Sequence, residues 1–205
     1  GGIKFLPDRY VQGVCPACSA GGARGDQCDA CGATYEANEL KHPVSKLNPE
    51  IPVEIRETDH LFFRLDLLQG DLENHAASRK STWKPNVRAM TQNWLNMGLR
   101  PRAVTRDLEW GVKIPLDDEV WGEKRVYVWF DAVQGYLTCA RIWSERIAEE
   151  SGSESDIWRR WWMDSGNLRH IYFMGKDNIP FHTIIWPGIL MALNRGREDP
   201  ERLHL

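Results

Sequence analysis

Two Cys-x-x-Cys pairs constrain this chain more than any other feature: Cys15-Pro16-Ala17-Cys18 and Cys28-Asp29-Ala30-Cys31, separated by nine residues. Two intervening residues let the backbone turn and aim both sulfurs of a pair to one side, so the two pairs supply the four thiolates of a tetrahedral ion. A redox dithiol needs only one pair, and an intracellular setting disfavours stable disulfides. The spacing predicts one Zn2+ held by Cys15, Cys18, Cys28 and Cys31. Four protein ligands leave no position for water or substrate, which makes the ion structural. Glycines at 21, 22, 25 and 32 suit the tight turns of such a knuckle. The fifth cysteine, Cys139, falls in a predicted helix and reads as a small packed apolar residue.

The rest of the composition narrows the class without choosing a function. With 205 residues, 42% apolar and 27% charged, the chain fits one large domain or two small ones and can bury a core. Its longest apolar run, residues 184–193, holds a Pro and a Gly and is half the length that spans a bilayer. No charged leader with an apolar stretch opens the sequence, so it reads as a cytosolic piece. A net charge of -3 offers no general attraction for nucleic acid. Ten tryptophans predict large buried rings or an aromatic-lined pocket.

Periodicity organises the chain. Alternation in 53–65 predicts one or two strands on which the knuckle would rest. Val87, Met90, Trp94 and Met97 recur at helical spacing between Pro85 and Gly98, which predicts a helix over 84–97. Residues 100–115 read as an irregular junction. Apolar runs at 125–130 and 169–174 predict two strands buried on both faces, each followed by a helix, at 134–149 and 180–193. Strand, helix, strand, helix implies an α/β fold with a parallel sheet. Ligands of such sheets bind beyond the carboxyl ends of the strands, which points to Asp131 and to Gly175-Lys176-Asp177. His182 and Trp186, four residues apart, would share one helix face over that pocket, with Pro187 weakening the helix. Each residue also has a plainer reading: Asp131 as a helix cap, His182 as a hydrogen-bonded structural histidine, Trp186 as core filling.

Five segments in order carry a specific resemblance. They are Phe5-Leu6-Pro7-Asp8-Arg9-Tyr10, the Cys15 to Cys31 knuckle, Gly98 to Arg102 with Thr105 to Gly111, Tyr127 to Ala132 with Gly135-Tyr136, and Phe173 to His182 with Trp186-Pro187. Together they resemble the methionyl-tRNA synthetases, class I aminoacyl-tRNA synthetases. The resemblance implies a zinc-knuckle insertion at 1–103 and the second half of a Rossmann-like catalytic domain at 104–205. It implies a methionine pocket at Trp129, Ala132, Tyr136, His182 and Trp186. It further implies an ATP and adenylate site at Gly175, Lys176, Asp177 and Asn178, with Arg106 and Asp177 in catalytic roles. ATP and Mg2+ would serve the first step and tRNA(Met) would accept the methionyl group, with no membrane partner. Val133 and Asn178 stand where one bacterial branch has Pro and Ile, and 42–52 lacks a second cysteine pair, so a single zinc is expected. The family's His-Ile-Gly-His and Lys-Met-Ser-Lys-Ser segments are absent from the sequence, so the chain reads as an incomplete part of the enzyme, inactive alone. The rival reading, a zinc-knuckle nucleic-acid-binding module without catalysis, needs a basic, aromatic-interleaved face that the sequence does not supply. A nucleotide-binding regulatory domain needs a glycine-rich loop, and no GxGxxG or Walker sequence occurs.

Overall fold

The computed structural model describes residues 6, 8–50, 53–116, 119–152, 154–163, 168–197 and 202–204. Near the start, β1 (Val11–Val14) lies between β2 (Ala23–Arg24) and β3 (Lys41–Ser45) in an antiparallel sheet. β3 passes so close to β1 that a Cβ on Gly13 would stand 2.7 Å from the Lys41 carbonyl oxygen, so only glycine fits there. The sheet has its own small core of Val11, Cys15, Ala23, Cys28, Tyr35 and Leu40.

The strands expected across 53–65, and the knuckle's packing on them, are not found. Residues 53–61 form no ladder, and only β4 (Phe62–Phe63) pairs, with β5 (Arg102–Ala103). The reason is visible in the side chains: residues 54–59 are all exposed, so neither parity has a face to bury. Cys15 and Cys28 of the knuckle pack instead with Val11 of β1, Ala23 of β2, Tyr35 and Leu40.

A second, larger core begins where the chain turns helical. Leu65 and Leu68, in a 3-10 turn, lead into α1 (Gln69–Ser78), which buries Leu72. α2 (Pro85–Asn96) starts on Pro85 and stops before Gly98, which takes the left-handed φ of 79°. Its deepest residues are Thr91 and Leu95, one position on from the predicted Met90 and Trp94, and Met97 is exposed. Thr91 is tolerated there because its hydroxyl meets that of Thr183 at 2.9 Å. These residues pack with Val133, Trp162, Ile184, Ile185, Trp186, Ile189, Leu190 and Leu203. The larger core therefore unites residues on both sides of position 103.

On α1, His75 lies edge-on to Trp83, with ring centroids 5.8 Å apart. Burial, aided by the Arg79 charge, lowers its pKa to about 4, whereas an unfolded histidine titrates near ~6.5. Between these values the unfolded chain takes up the proton and the folded one does not, so stability falls as pH drops through that window. Denaturant midpoints at pH 7 and pH 4.5 should fall further for the wild type than for His75→Phe. Equal falls would show that His75 makes no such contribution.

β6 (Thr105–Arg106) pairs with β7 (Arg125–Val126), and α3 (Glu119–Gly122) lies between them in sequence. The predicted strand over 125–130 is thus two residues long. From Tyr127, whose carbonyl accepts from the Phe130 and Asp131 amides, the chain turns into α4 (Val128–Ala132). The Tyr127 amide still reaches the Val104 carbonyl, and beyond it a run of high β propensity closes local hydrogen bonds instead. Asp131 sits inside this helix, not at a strand end. α5 (Gly135–Ser151) ends on left-handed Gly152, as the 134–149 pattern predicts within two residues. Cys139 is exposed on α5 and not packed.

After α6 (Arg159–Trp162), residues 168–175 are extended but form no ladder. Even positions are half-buried, while Ile171 and Phe173 are 64% and 96% exposed. This segment is a strand in pleat only. Every ladder among the described residues is antiparallel, so the expected parallel pairing is not formed within them. The last helical stretch runs through a π-helical turn, Phe181–Ile185, into α7 (Trp186–Asn194). The widened turn falls just before Pro187, where it accommodates the missing amide and the ring's clash with the preceding turn. Among the described residues no helix is long and apolar enough to cross a membrane.

Candidate metal centre and aromatic pocket

The two cysteine turns are built alike. The Cys15 and Cys28 carbonyls accept from Ser19 and Gly32, and the Cys15 and Cys28 amides donate to Ala20 and Ala33. Ser19 and Gly32, each four residues after the first cysteine of its pair, both adopt left-handed backbone, with φ of 60° and 75°. The repeated turn brings all four sulfurs within 4.8 Å of one another. Cys15 Sγ lies 3.9 Å from Cys31 Sγ, and Cys18 Sγ lies 3.7 Å from Cys28 Sγ. A tetrahedral ion with Zn–S bonds of ~2.3 Å requires sulfurs about 3.8 Å apart, so the donor set fits a metal ion. Burial works to raise the Cys15 thiol, but the backbone amides of Cys18 and Ala17 outweigh it and bring it down to about 7. Cys18 accepts from the Ala20 amide, yet the neighbouring sulfurs of Cys31 and Cys15, with burial, push it up to about 12. Four thiolates in so small a space need a cation among them.

A second constellation joins α5, the 168–175 segment and the last helical stretch. His182 Nδ1 lies 2.8 Å from the Asn178 carbonyl oxygen and donates to it. Nε2 is then the acceptor for the Tyr136 hydroxyl, also at 2.8 Å. Tyr172 meets both rings, with centroids 5.0 Å from Tyr136 and 5.3 Å from His182. Its hydroxyl accepts from Trp186 Nε1 at 3.2 Å, and Trp186 stands edge-on to Trp162. Tyr136, His182 and Trp186 are thus brought together through Tyr172, a residue the sequence reading does not single out. The cleft has a buried floor, Trp186 at 2% exposure, and an open rim, Tyr136 at 41%.

The other predicted site residues lie around this cleft. Trp129 packs at a tilt on Phe181, the neighbour of His182, with centroids 5.5 Å apart, and carries the Arg9 guanidinium over its ring at 5.0 Å. Ala132 is exposed on α4. Gly175, Lys176 and Asp177 are exposed in the 3-10 turn Lys176–Asn178 and its approach, and the half-buried Asn178 supplies the carbonyl that orients His182. Arg24 of β2 is partly buried, and the hydrogen-bonded Asp29 with the charges of Asp26 and Asp177 raises its pKa against that burial, which sets Asp177 toward the knuckle. Arg106 rests over the Tyr127 ring at 3.9 Å, just ahead of α4.

The family model for class I tRNA synthetases (M) matches residues 3–204. The chain belongs to this family. Among the relatives of this class I synthetase chain, the methionine–tRNA ligase of Thermoplasma acidophilum is 50% identical over 189 residues, covering 92% of this chain and 33% of that protein. The methionine–tRNA ligase of Chlorobium limicola is 48% identical over 196 residues, covering 96% of this chain and 27% of that protein. The chain spans about a third or less of the length of the curated relatives it matches. The crystal structure of Mycobacterium tuberculosis methionyl-tRNA synthetase bound by methionyl-adenylate shares the fold, with a TM-score of 0.56 and 25% identity over 78% of this chain and 29% of that one.

Proposed function

We propose that the protein carrying this chain is a methionine–tRNA ligase, which activates methionine with ATP to methionyl-adenylate and transfers the methionyl group to tRNA(Met). The observation that carries this reading is the cleft of Tyr136, Tyr172, His182 and Trp186. Aromatic faces suit a polarizable thioether, which gains contact energy against ring edges. The Tyr136–His182 hydrogen bond keeps both rings in place around the side chain. Trp129 and Ala132 complete the methionine pocket in this reading. Relatives named methionine–tRNA ligase and a solved relative holding methionyl-adenylate support the same substrate class.

In the reaction the methionine carboxylate attacks the α-phosphorus of ATP and pyrophosphate leaves; a ribose hydroxyl of the tRNA then attacks the activated carbonyl and AMP leaves. The exposed backbone of Gly175, Lys176, Asp177 and Asn178 lies beside His182 and suits the adenylate. Asp177 can accept from ribose hydroxyls, and the Arg106 guanidinium can orient the carboxylate or offset phosphate charge. Mg2+ supplies neutralisation of the pyrophosphate charge when bound. Cys15, Cys18, Cys28 and Cys31 hold a structural Zn2+ within an insertion at 1–103, while 104–205 belongs to the catalytic domain. The protein works in the cytoplasm, where reduced cysteines are the norm.

Charging of tRNA tests this reading: the full-length protein, given ATP, Mg2+ and labelled methionine, should esterify a tRNA with the methionine anticodon. Absence of charging by folded, zinc-loaded protein would refute the assignment.

A further inference from the structure

Behind β6 lies a polar cluster for which the proposed reaction has no direct use. Lys124 is 5% exposed. Its ammonium lies 2.7 Å from Asp107 Oδ1 and 2.6 Å from Thr58 Oγ1, and Thr58 and Asp107 are themselves 3.2 Å apart. Asp107 Oδ2 stands 3.8 Å from His60 Nε2, while His60 Nδ1 is 2.8 Å from the hydroxyl of the fully buried Thr105. The Leu61 amide donates to the same hydroxyl at 3.2 Å. The cluster ties residues 58–61, β6 and the entry to β7 into one knot.

The alternation of a strand gives this knot a direction. Side chains at 105 and 107 share one face, and the side chain at 106 projects to the other. Thr105 and Asp107 are both engaged in the knot, and Arg106 correspondingly lies on the opposite side, over Tyr127 at the head of α4. A turn of β6 onto its other face would carry Arg106 into the knot and Asp107 toward Tyr127. β6 and β7 share two residue pairs, Thr105 with Val126 and Arg106 with Arg125, flanked by the Tyr127 amide on the Val104 carbonyl and the Val104 amide on the Leu61 carbonyl, and the side-chain knot adds to this short ladder on one face only. A buried ion pair is a poor source of net stability, because well-packed apolar residues of similar volume do as well or better. Its geometry, by contrast, is specific.

We infer that Asp107 and Lys124 are positioning residues for Arg106: their ion pair, buried at Lys124 and half-buried at Asp107, pins the face of β6 with Thr58, His60 and Thr105 and so holds the guanidinium over the Tyr127 ring at the head of α4. The inference rests on the proposed role of Arg106. Its test uses the full-length protein with both charges removed together, Asp107→Leu with Lys124→Met, since removing one alone leaves the other buried and unpaired. The pair variant should keep its unfolding midpoint and its KM for methionine, while kcat for methionine-dependent pyrophosphate exchange falls on the order of 100-fold, the cost of a displaced reacting geometry. In an Arg106→Ala background the same pair change should cause no further fall. An equal fall in both backgrounds, or an unchanged kcat, overturns the inference.

A readout independent of activity separates this from the proposed function. The Arg106 Nε–H NMR signal, identified by its loss in Arg106→Ala, should move toward its solvent-exposed position in the pair variant; an unmoved signal overturns the inference whether or not the wild type activates methionine. Should the pair variant not fold, Lys124→Arg, which keeps the charge and changes its reach and shape, carries the same two readouts. Wild-type protein without exchange, but with the signal moved in the variant, refutes the proposed function and leaves the positioning of Arg106 supported.

Discussion

Removal of the metal from Cys15, Cys18, Cys28 and Cys31 is expected to unfold the sheet of β1, β2 and β3 while α1, α2 and α7 stay protected. Among the described residues the small core contains six buried residues, and two of them are the proposed ligands Cys15 and Cys28. A three-stranded sheet with so little apolar area cannot offset the entropy of ordering its chain, which is why units of this size need a metal or disulfides. Structural zinc supplies apparent binding free energies of roughly 10–16 kcal/mol in small finger peptides, far above any single side-chain contact here. The larger core of Leu65 to Leu203 shares no residue with the small one, so it does not depend on the metal in the same way. Hydrogen exchange read by mass spectrometry, before and after a strong chelator, checks this. Loss of protection within residues 11–45, at Val11–Val14, Ala23–Arg24 and Lys41–Ser45, and not in the helices of the larger core is the expected result, with one zinc per chain by elemental analysis. Full protection without metal, or in Cys28→Ser, contradicts it.

The parts of this fold that were legible in the sequence are those whose geometry is local. The cysteine turns are set by spacing, and α2 is bracketed by Pro85 and Gly98, whose backbone restrictions need no partner. α5 was legible because a long pattern tolerates errors at its ends. The strands were not. Residues 125–130 and 169–174 have the composition of buried strands, but pairing depends on an edge elsewhere, and only Arg125–Val126 finds one among the described residues. α1 escaped notice because it buries a single residue, Leu72, and carries Gly70 in its first turn. In the cleft, His182 and Trp186 are legible from their four-residue spacing on one helix face, Tyr136 only through the family resemblance, and the resemblance passes over Tyr172. Its position in an alternating run was the available signal: residues 168, 170, 172 and 174 face inward together, yet a segment read as buried on both faces does not reveal which face matters.

The largest effect on substrate use is expected at His182. Replacing it with alanine removes the ring that Tyr136 and Tyr172 contact, and leaves the Tyr136 hydroxyl without its acceptor and the Asn178 carbonyl without its donor. Losing apolar contact of this kind in a side-chain pocket costs about 1–3 kcal/mol of binding, which corresponds to roughly 5- to 150-fold in affinity. The loss falls mainly on recognition of the amino-acid side chain, because the His182 ring lies against Tyr136 and Tyr172 and meets the adenylate turn only at the Asn178 carbonyl. Tyr136→Phe removes only one hydroxyl and should give a smaller change of the same kind.

Methionine-dependent pyrophosphate exchange by the full-length protein, with KM measured for methionine and for ATP in wild type and His182→Ala, is the direct test of the cleft as the methionine site. The structure predicts a rise of at least about fivefold in KM for methionine with KM for ATP changed less than about threefold, the pattern of lost ground-state binding to one substrate. Equal rises for both substrates, or none for methionine, would contradict it.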